Sequence, residues 1–351
     1  MKTKSQFRFS QISQNFTEIM AVTVLGAFLV FYLIVLIWPQ GNPYDSVKVT
    51  IPKGASLKEV GFTLKNQNVI KNDNSFLLAV KVLGYEKDIP AGKFRLEKAS
   101  NNFQIIDQLV NGIQVSKRVT IREGWTISMV AKELEKTLGI EPKFFEEASQ
   151  NKILLKKWKI SGKSFEGYLF PNTYQFTEDE LPFDIINRMV REYKNNFSDE
   201  MYARMKQIEM SELEVLTLAS IIEGEAIHDR ERPIISGVYH NRLKIGMRLQ
   251  ADPTIQYIID DSPRRLLNRD LKIDSPYNTY LNQGLPPGPI NNPGFESIKA
   301  ALYPDINDYL YFVARGDGYH TFSKTKDQHN KAKRDFQKVR RNLRKQKLKR
   351  G

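Results

Sequence analysis

Two glutamates close the apolar run Leu216-Thr217-Leu218-Ala219-Ser220-Ile221-Ile222, and a carboxyl at the end of such a run is a candidate proton donor. On a helix the neighbours of Glu223 three and four positions away include Ala219, Ser220, Ala226 and Ile227, with Leu216 a turn further back. A carboxyl on a small, apolar face loses hydration, which raises its hold on a proton toward the neutral range where general acids work. Glu225 falls about 200° further round the helix, beside His228 and Asp229, and reads as the more solvated of the two. The pattern also fits Glu223 as a surface glutamate at the helix edge. Two further acids stand in structured surroundings: Asp252, in the turn Leu249-Gln250-Ala251-Asp252-Pro253-Thr254, and Glu166, at the head of an aromatic run. Other chemistries are poorly served. There are no cysteines, which removes disulfides, thiolate metal ligands and a cysteine nucleophile. The four histidines show neither HExxH nor HxH spacing, so no metal site is expected.

Periodicity supplies the elements that would hold these groups. Helices are predicted at Ile127–Leu138, Pro142–Ser149, Pro182–Asn196, Asp199–Glu209, Glu214–Glu225, Arg230–Ile245, Pro253–Ile259 and Gly294–Leu302. A strand is predicted at Tyr309–Ala314, and the region from about Lys117 reads as α+β and mostly helical. Ser211 is placed to cap the helix that carries Glu223. The segment from Glu166 to Tyr174 (EGYLFPNTY) could present rings to a sugar or form a buried hairpin of core aromatics. Ser275-Pro276-Tyr277-Asn278-Thr279-Tyr280 offers hydroxyl and amide groups, and the following Pro286-Pro287-Gly288-Pro289 is stiff enough to form a wall or a purely structural loop.

Two stretches share one pattern: Val49–Val60 and Val119–Val130 each read as strand, charged residue and Gly turn, Ser or Thr cap, then amphipathic helix. With a helix at Ser75–Leu83, a strand at Gly92–Leu96 and a helix at Asn102–Val110, residues 48–113 make a compact α+β unit of the size of a LysM-like wall-binding module, or a simple spacer. Ahead of it, Ile19–Trp38 is twenty residues without a charge, about 30 Å as a helix, and is expected to span a bilayer. Lys2, Lys4 and Arg8 precede the span and no Lys or Arg follows it through Ser46, so the N-terminus is expected in the cytoplasm and the body outside. An extracytoplasmic body argues against ATP or NAD, and no cofactor is expected. The net charge of +13 is concentrated at the C-terminus: Lys331–Arg350 holds eleven Lys and Arg and one acid, for +10, leaving about +3 elsewhere. The body is therefore not expected to bind nucleic acid.

The sequence resembles the endolytic murein transglycosylases of the MltG/YceG type over nearly its full length. The resemblance rests on Ala219-Ser220-Ile221-Ile222-Glu223-Gly224-Glu225, Asn241-Arg242-Leu243, Gly246–Thr254 (GMRLQADPT), Tyr277-Asn278-Thr279-Tyr280, Gly284-Leu285-Pro286-Pro287-Gly288, and Tyr311-Phe312-Val313 with Gly318, His320 and Phe322. One departure is Asn172, where the family usually carries Asp. The resemblance implies a single-pass enzyme of the bacterial plasma membrane: cytoplasmic residues 1–18, a transmembrane helix at 19–39, a linker at 40–47, the LysM-like unit at 48–113, a catalytic domain at 117–335 and a basic tail at 336–351. It implies cleavage between N-acetylmuramic acid and N-acetylglucosamine without water, leaving 1,6-anhydro ends, with Glu223 as acid and then base. An ordinary glycosidase usually needs a second carboxyl; here Asp252 and Glu166 are expected to orient substrate or hold loops. Gln250, Thr254, Tyr257, Tyr277, Asn278 and Thr279 are the expected cleft-lining residues. The implied partners are peptidoglycan strands, the membrane and peptidoglycan synthases. A non-catalytic wall-binding scaffold is the competing expectation, since it needs the anchor and the small unit but no acid.

Overall fold

The computed structural model describes residues 20–30, 46–97, 100–112, 115–178, 180–260 and 262–350. Residues 20–30 form an exposed helix, α1. The rest of the predicted membrane segment, the N-terminal flank and most of the linker lie outside the described residues. Among the described residues no helix is long and apolar enough to cross a membrane. The chain divides into two compact units, Met1–Ser116 and Lys117–Gly351.

In the first unit the order is β1 (Ser46–Ile51), α2 (Leu57–Asn66), α3 (Asp73–Leu83), β2 (Gly92–Glu97) and α4 (Asn102–Val110). β1 and β2 pair antiparallel, with Val49 opposite Phe94 and Ile51 opposite Gly92. Alternation turns Val49, Ile51, Phe94 and Leu96 inward onto Leu64, Phe76, Val80 and Ile106, while the residues between them face out. The entry to α2 follows its sequence: Gly54 takes φ +82°, and Ser56 and Glu59 form a reciprocal capping box.

The second unit holds β3 (Ser116–Thr120), α5 (Ile127–Leu138), α6 (Pro142–Ser149), α7 (Lys152–Lys157), β4 (Thr173–Thr177), α8 (Pro182–Asn196), α9 (Asp199–Gln207), α10 (Glu212–Glu225), α11 (Arg232–Lys244), α12 (Asp252–Ile258), α13 (Phe295–Leu302), β5 (Tyr311–Ala314), β6 (His320–Ser323) and α14 (Lys326–Arg350). β3 pairs with β4 and β5 with β6, so the described sheets are two-stranded and helix dominates: the α+β class expected from periodicity. The second copy of the repeated pattern repeats the local solution, with Gly124 at φ +75° and Thr126 capping α5.

The central element is α10. Val215, Leu216, Leu218, Ala219, Ile221 and Ile222 are all fully buried, so the helix is apolar around its whole circumference. Ser211 and Glu214 close its N-terminus in a capping box, and the helix packs on α11, α12 and α13. The aromatic run resolves in favour of core: Tyr168 is buried edge-on to Tyr193, and Tyr174, in β4, stacks on Phe176. Those rings are not available to a sugar. β4, β6 and α7 are elements that periodicity did not separate from loop.

Candidate functional site

The last turn of α10 carries both glutamates to a place where three loops meet. Gly224 between them leaves no room for a side chain: a Cβ there would lie 2.6 Å from the Cβ of Pro253, at the start of α12. This close approach brings the turn before α12 against α10, and the two carboxyls leave on opposite sides of the contact.

On one side Glu223 is clamped. Its Oε2 accepts hydrogen bonds from Arg232 Nη1 (3.1 Å), the Gly294 backbone N–H (3.1 Å) and Ser297 Oγ (2.8 Å), and Oε1 accepts from Arg232 Nη2 (3.3 Å). The side chains of Glu223 and Arg232 are 8% and 6% exposed. Arg232 is itself held by Asp229, whose Oδ1 accepts from Nε at 2.9 Å, and it also donates to Ser297 Oγ. The expectation of an apolar setting for Glu223 is thereby corrected. Its helical neighbours are small and apolar, but the carboxyl reaches past them to a buried cation and two further donors.

On the other side Glu225 is half-buried in the wall of a cleft, less solvated than the sequence suggested. It accepts from the hydroxyl of Tyr239 at 2.9 Å. Burial pushes its carboxyl up to about 7; the Tyr239 bond opposes the shift and the charge of Asp252 adds to it. Asp252 in turn accepts from Tyr280 Oη at 2.5 Å.

Beside this turn lies a cleft of about 850 Å³ whose walls include Gly124, Glu166, Glu225, Asp252, Tyr257 and Asn291. A cavity of about 610 Å³ between the β5–β6 hairpin and α14 contains none of these carboxyls. Glu166 is buried under the cleft floor, and its two oxygens accept from the Ile127 N–H at 3.1 and 3.2 Å. Burial raises it to about 8, against the Ile127 and Asn292 bonds that favour its charge.

Asn292 ties the site together. Its Oδ1 accepts from the Gly167 and Leu169 N–H groups, both at 2.9 Å, and its Nδ2 donates to Trp125 O and to Glu166 Oε1. Its backbone adds a bridge to Trp125. One side chain thus joins the loop before α5, the 165–170 loop and the loop that delivers Gly294 and Ser297 to Glu223.

Of the residues expected to line the cleft, Glu166, Asp252 and Tyr257 do so, and Gln250, Thr254, Tyr277, Asn278 and Thr279 are not among its walls. Gln250 is exposed with φ +47° and donates its N–H to Thr279 O. Thr254 and Thr279 are buried and bonded to each other at 2.9 Å, and Thr279 Oγ1 accepts from the Ala251 N–H. Asn278 spends its amide on Leu271 O and Ile273 O. Tyr277 packs its ring 5.1 Å from that of Tyr257. Gln250, Thr254 and Thr279 thus brace the turn before α12, and Asn278 holds the segment 271–273. Sequence reasoning missed Arg232, Gly294, Ser297 and Asn292; only the charge of Arg232, nine positions after Glu223, offered a local signal. Among the described residues no group of His, Cys, Asp or Glu is arranged to hold a metal ion.

A profile of the YceG-like family matches residues 49–335. A protein of Bacillus subtilis named endolytic murein transglycosylase is 36% identical over 310 residues, covering 83% of this chain and 85% of its own length. One of the same name from Streptococcus pneumoniae is 30% identical; the match covers 78% of this chain but 55% of that longer protein. The crystal structure of a YceG-like protein of Listeria monocytogenes is 35% identical, with a TM-score of 0.58, covering 82% of this chain and 99% of that one.

Proposed function

The chain belongs to the YceG-like family, and from that premise we propose that it is a peptidoglycan lytic transglycosylase with Glu223 as its acid and base. The observation that carries the assignment of residue is the clamp around Glu223: a buried carboxyl fixed by Arg232, Ser297 and the Gly294 N–H, whose neighbours Gly124 and Gly224 line the cleft while Glu223 itself is not among its walls. Protonated Glu223 gives its proton to the glycosidic oxygen as the bond from C1 of N-acetylmuramic acid breaks. The C6 hydroxyl of the same sugar attacks C1, and the Glu223 carboxylate takes up the hydroxyl proton. The ring closes as a 1,6-anhydride, no water is consumed and Glu223 is again protonated. Arg232 stabilises the intermediate carboxylate, and the Gly294 and Ser297 donors fix its direction.

A second assignment has one observation in its favour. Glu225 faces the cleft directly and is held near 7, which is where a general acid works best at neutral pH.

The proposal extends to the whole chain. The uncharged segment Ile19–Trp38 anchors it in the bacterial plasma membrane with the second unit outside, the first unit contacts wall glycan, and the enzyme works on new strands beside the synthases that make them. The test is digestion of purified glycan strands by the full-length protein, with the new ends weighed by mass spectrometry. Anhydro ends are expected. Reducing ends carrying oxygen from labelled water would make the protein a hydrolase and overturn the proposal.

A further inference from the structure

The basic helix α14 has no part in the proposed chemistry. It runs for 25 residues, about 37 Å at 1.5 Å per residue. Its first turns are seated on the β5–β6 hairpin. His329 stacks on Tyr311 with 5.3 Å between ring centroids, and Lys326 Nζ lies over the same ring. Ala332 and Phe336 line the cavity of about 610 Å³ together with Tyr309 and Phe322. In the sequence Val339 and Leu343 continue the spacing of Ala332 and Phe336, three or four positions at a time, which on a helix makes one apolar stripe. Most other positions are basic: Lys331–Arg350 holds eleven Lys and Arg, and its one acid, Asp335, pairs with Lys338 at 3.3 Å. This charge is badly placed for a helix left in water. Arg334 and Lys338, Arg340 and Arg344, and Arg341 and Lys345 stand four positions apart, and like charges at that spacing oppose the helix. Counter-charge along its length would relieve the repulsion, and no acid follows Asp335 in the sequence to supply it.

We propose that α14 is a docking helix for a membrane surface rich in anionic phospholipid, with its cations on the headgroups and its apolar stripe at the boundary beneath them. Charge complementarity names the class of partner, and the stripe selects lipid within it. A soluble polyanion asks only for cations, whereas an apolar stripe flanked by cations is the pattern of a helix that lies in a membrane interface. The charge is also confined to this element: +10 of the net +13 falls within Lys331–Arg350. Attraction to an anionic surface is therefore directed through one helix instead of spread over the body. The hairpin holds the start of that helix, so docking would fix the second unit to the surface through β5 and β6. The inference goes beyond the proposed activity and does not depend on which glutamate is the acid.

The test uses the full-length protein with Gln346→Cys, which is then the one cysteine of the chain, carrying a fluorophore that brightens in apolar surroundings. The protein is reconstituted with vesicles of phosphatidylcholine alone or with about 30% phosphatidylglycerol. The comparison is between lipids, so insertion of the N-terminal segment counts equally in both. Brightening is expected with the anionic lipid only, and should be reversed by salt at about 0.5 M. Replacing Arg340, Arg341, Arg344 and Lys345 with Gln should abolish it, since each cation near such a surface is worth about fivefold in binding. Val339→Ser with Leu343→Ser should weaken it by about tenfold and leave the salt dependence in place. These changes remove like-charge repulsion or exposed apolar groups and leave glycan cleavage in detergent as the check on folding. Equal signals in the two lipids, or a signal that survives the four Gln substitutions, would overturn the inference. So would a label that becomes immobilised on long-chain polyphosphate while anionic vesicles leave it unchanged, which would make the partner a soluble polyanion.

Discussion

Glu223 and Glu225 leave the same helix two residues apart and end in opposite surroundings. The first meets a guanidinium, a hydroxyl and a backbone N–H; the second meets one phenol and stands half-buried in the wall of the cleft. Their order is the reverse of what the helix alone suggests, where Glu223 has the apolar neighbours and Glu225 the polar ones. The environment of a carboxyl is set at its oxygen atoms, several bonds from the backbone, and there the partners come from distant segments. Desolvation without a partner raises a carboxyl, and desolvation with a cation holds the charge.

The largest expected effect separates the two carboxyls as acids. Glu223→Gln should lower glycan cleavage by about 10²- to 10⁴-fold with an unchanged far-UV spectrum, and Glu225→Gln by far less. The opposite ranking would transfer the chemistry to Glu225. Next comes the clamp. Arg232→Met leaves Glu223 buried without its cation and should cost about 3–5 kcal/mol in chemical denaturation at neutral pH. A cost under about 1 kcal/mol would mean that the pair is solvated and that the two carboxyls differ less than described. The smallest effect concerns Glu225 in the pH dependence of stability. Its value is raised in the folded chain, so the fold binds a proton that the unfolded chain releases at lower pH. The stabilisation it gives is full below its ordinary value of 4.5 and is lost as pH rises toward about 7. The loss is about 3.5 kcal/mol at most, from 2.5 pH units at about 1.4 kcal/mol each. Glu225→Gln should flatten that part of the denaturation profile; an unaltered slope would place its origin elsewhere, Glu166 being the next group to test.

Much of the fold was legible because it is local. The bounds of α5, α6, α8 and α4 match expectation, since capping residues, Pro at the first turn and 3.6-residue spacing act within a few positions. The repeated strand-turn-cap-helix pattern was readable for the same reason. The site was legible in part. Glu223, Asp252 and Glu166 stood out as acids in ordered surroundings, but their partners did not. Gly294 and Ser297 lie 71 and 74 positions from Glu223, and nothing in a glycine or a serine announces such a contact. Thr254, Asn278 and Thr279 show the other side of the same difficulty. Hydroxyl and amide side chains that suit a sugar also suit backbone groups in a tight turn, and here the backbone claims them.

The Asn292 junction also has a meaning in time. Its side chain joins residues 123 to 167 positions earlier in the chain. α10 can form locally from its capping box and spacing, but its packing partners α11, α12 and α13 follow it in the chain, and so do the surroundings of its carboxyls. They arrive with the segment 290–297, after four-fifths of the polypeptide has been made. Contacts of such separation close late in folding. A chain delivered from its N-terminus therefore covers its central helix and acquires its reactive centre together, near the end.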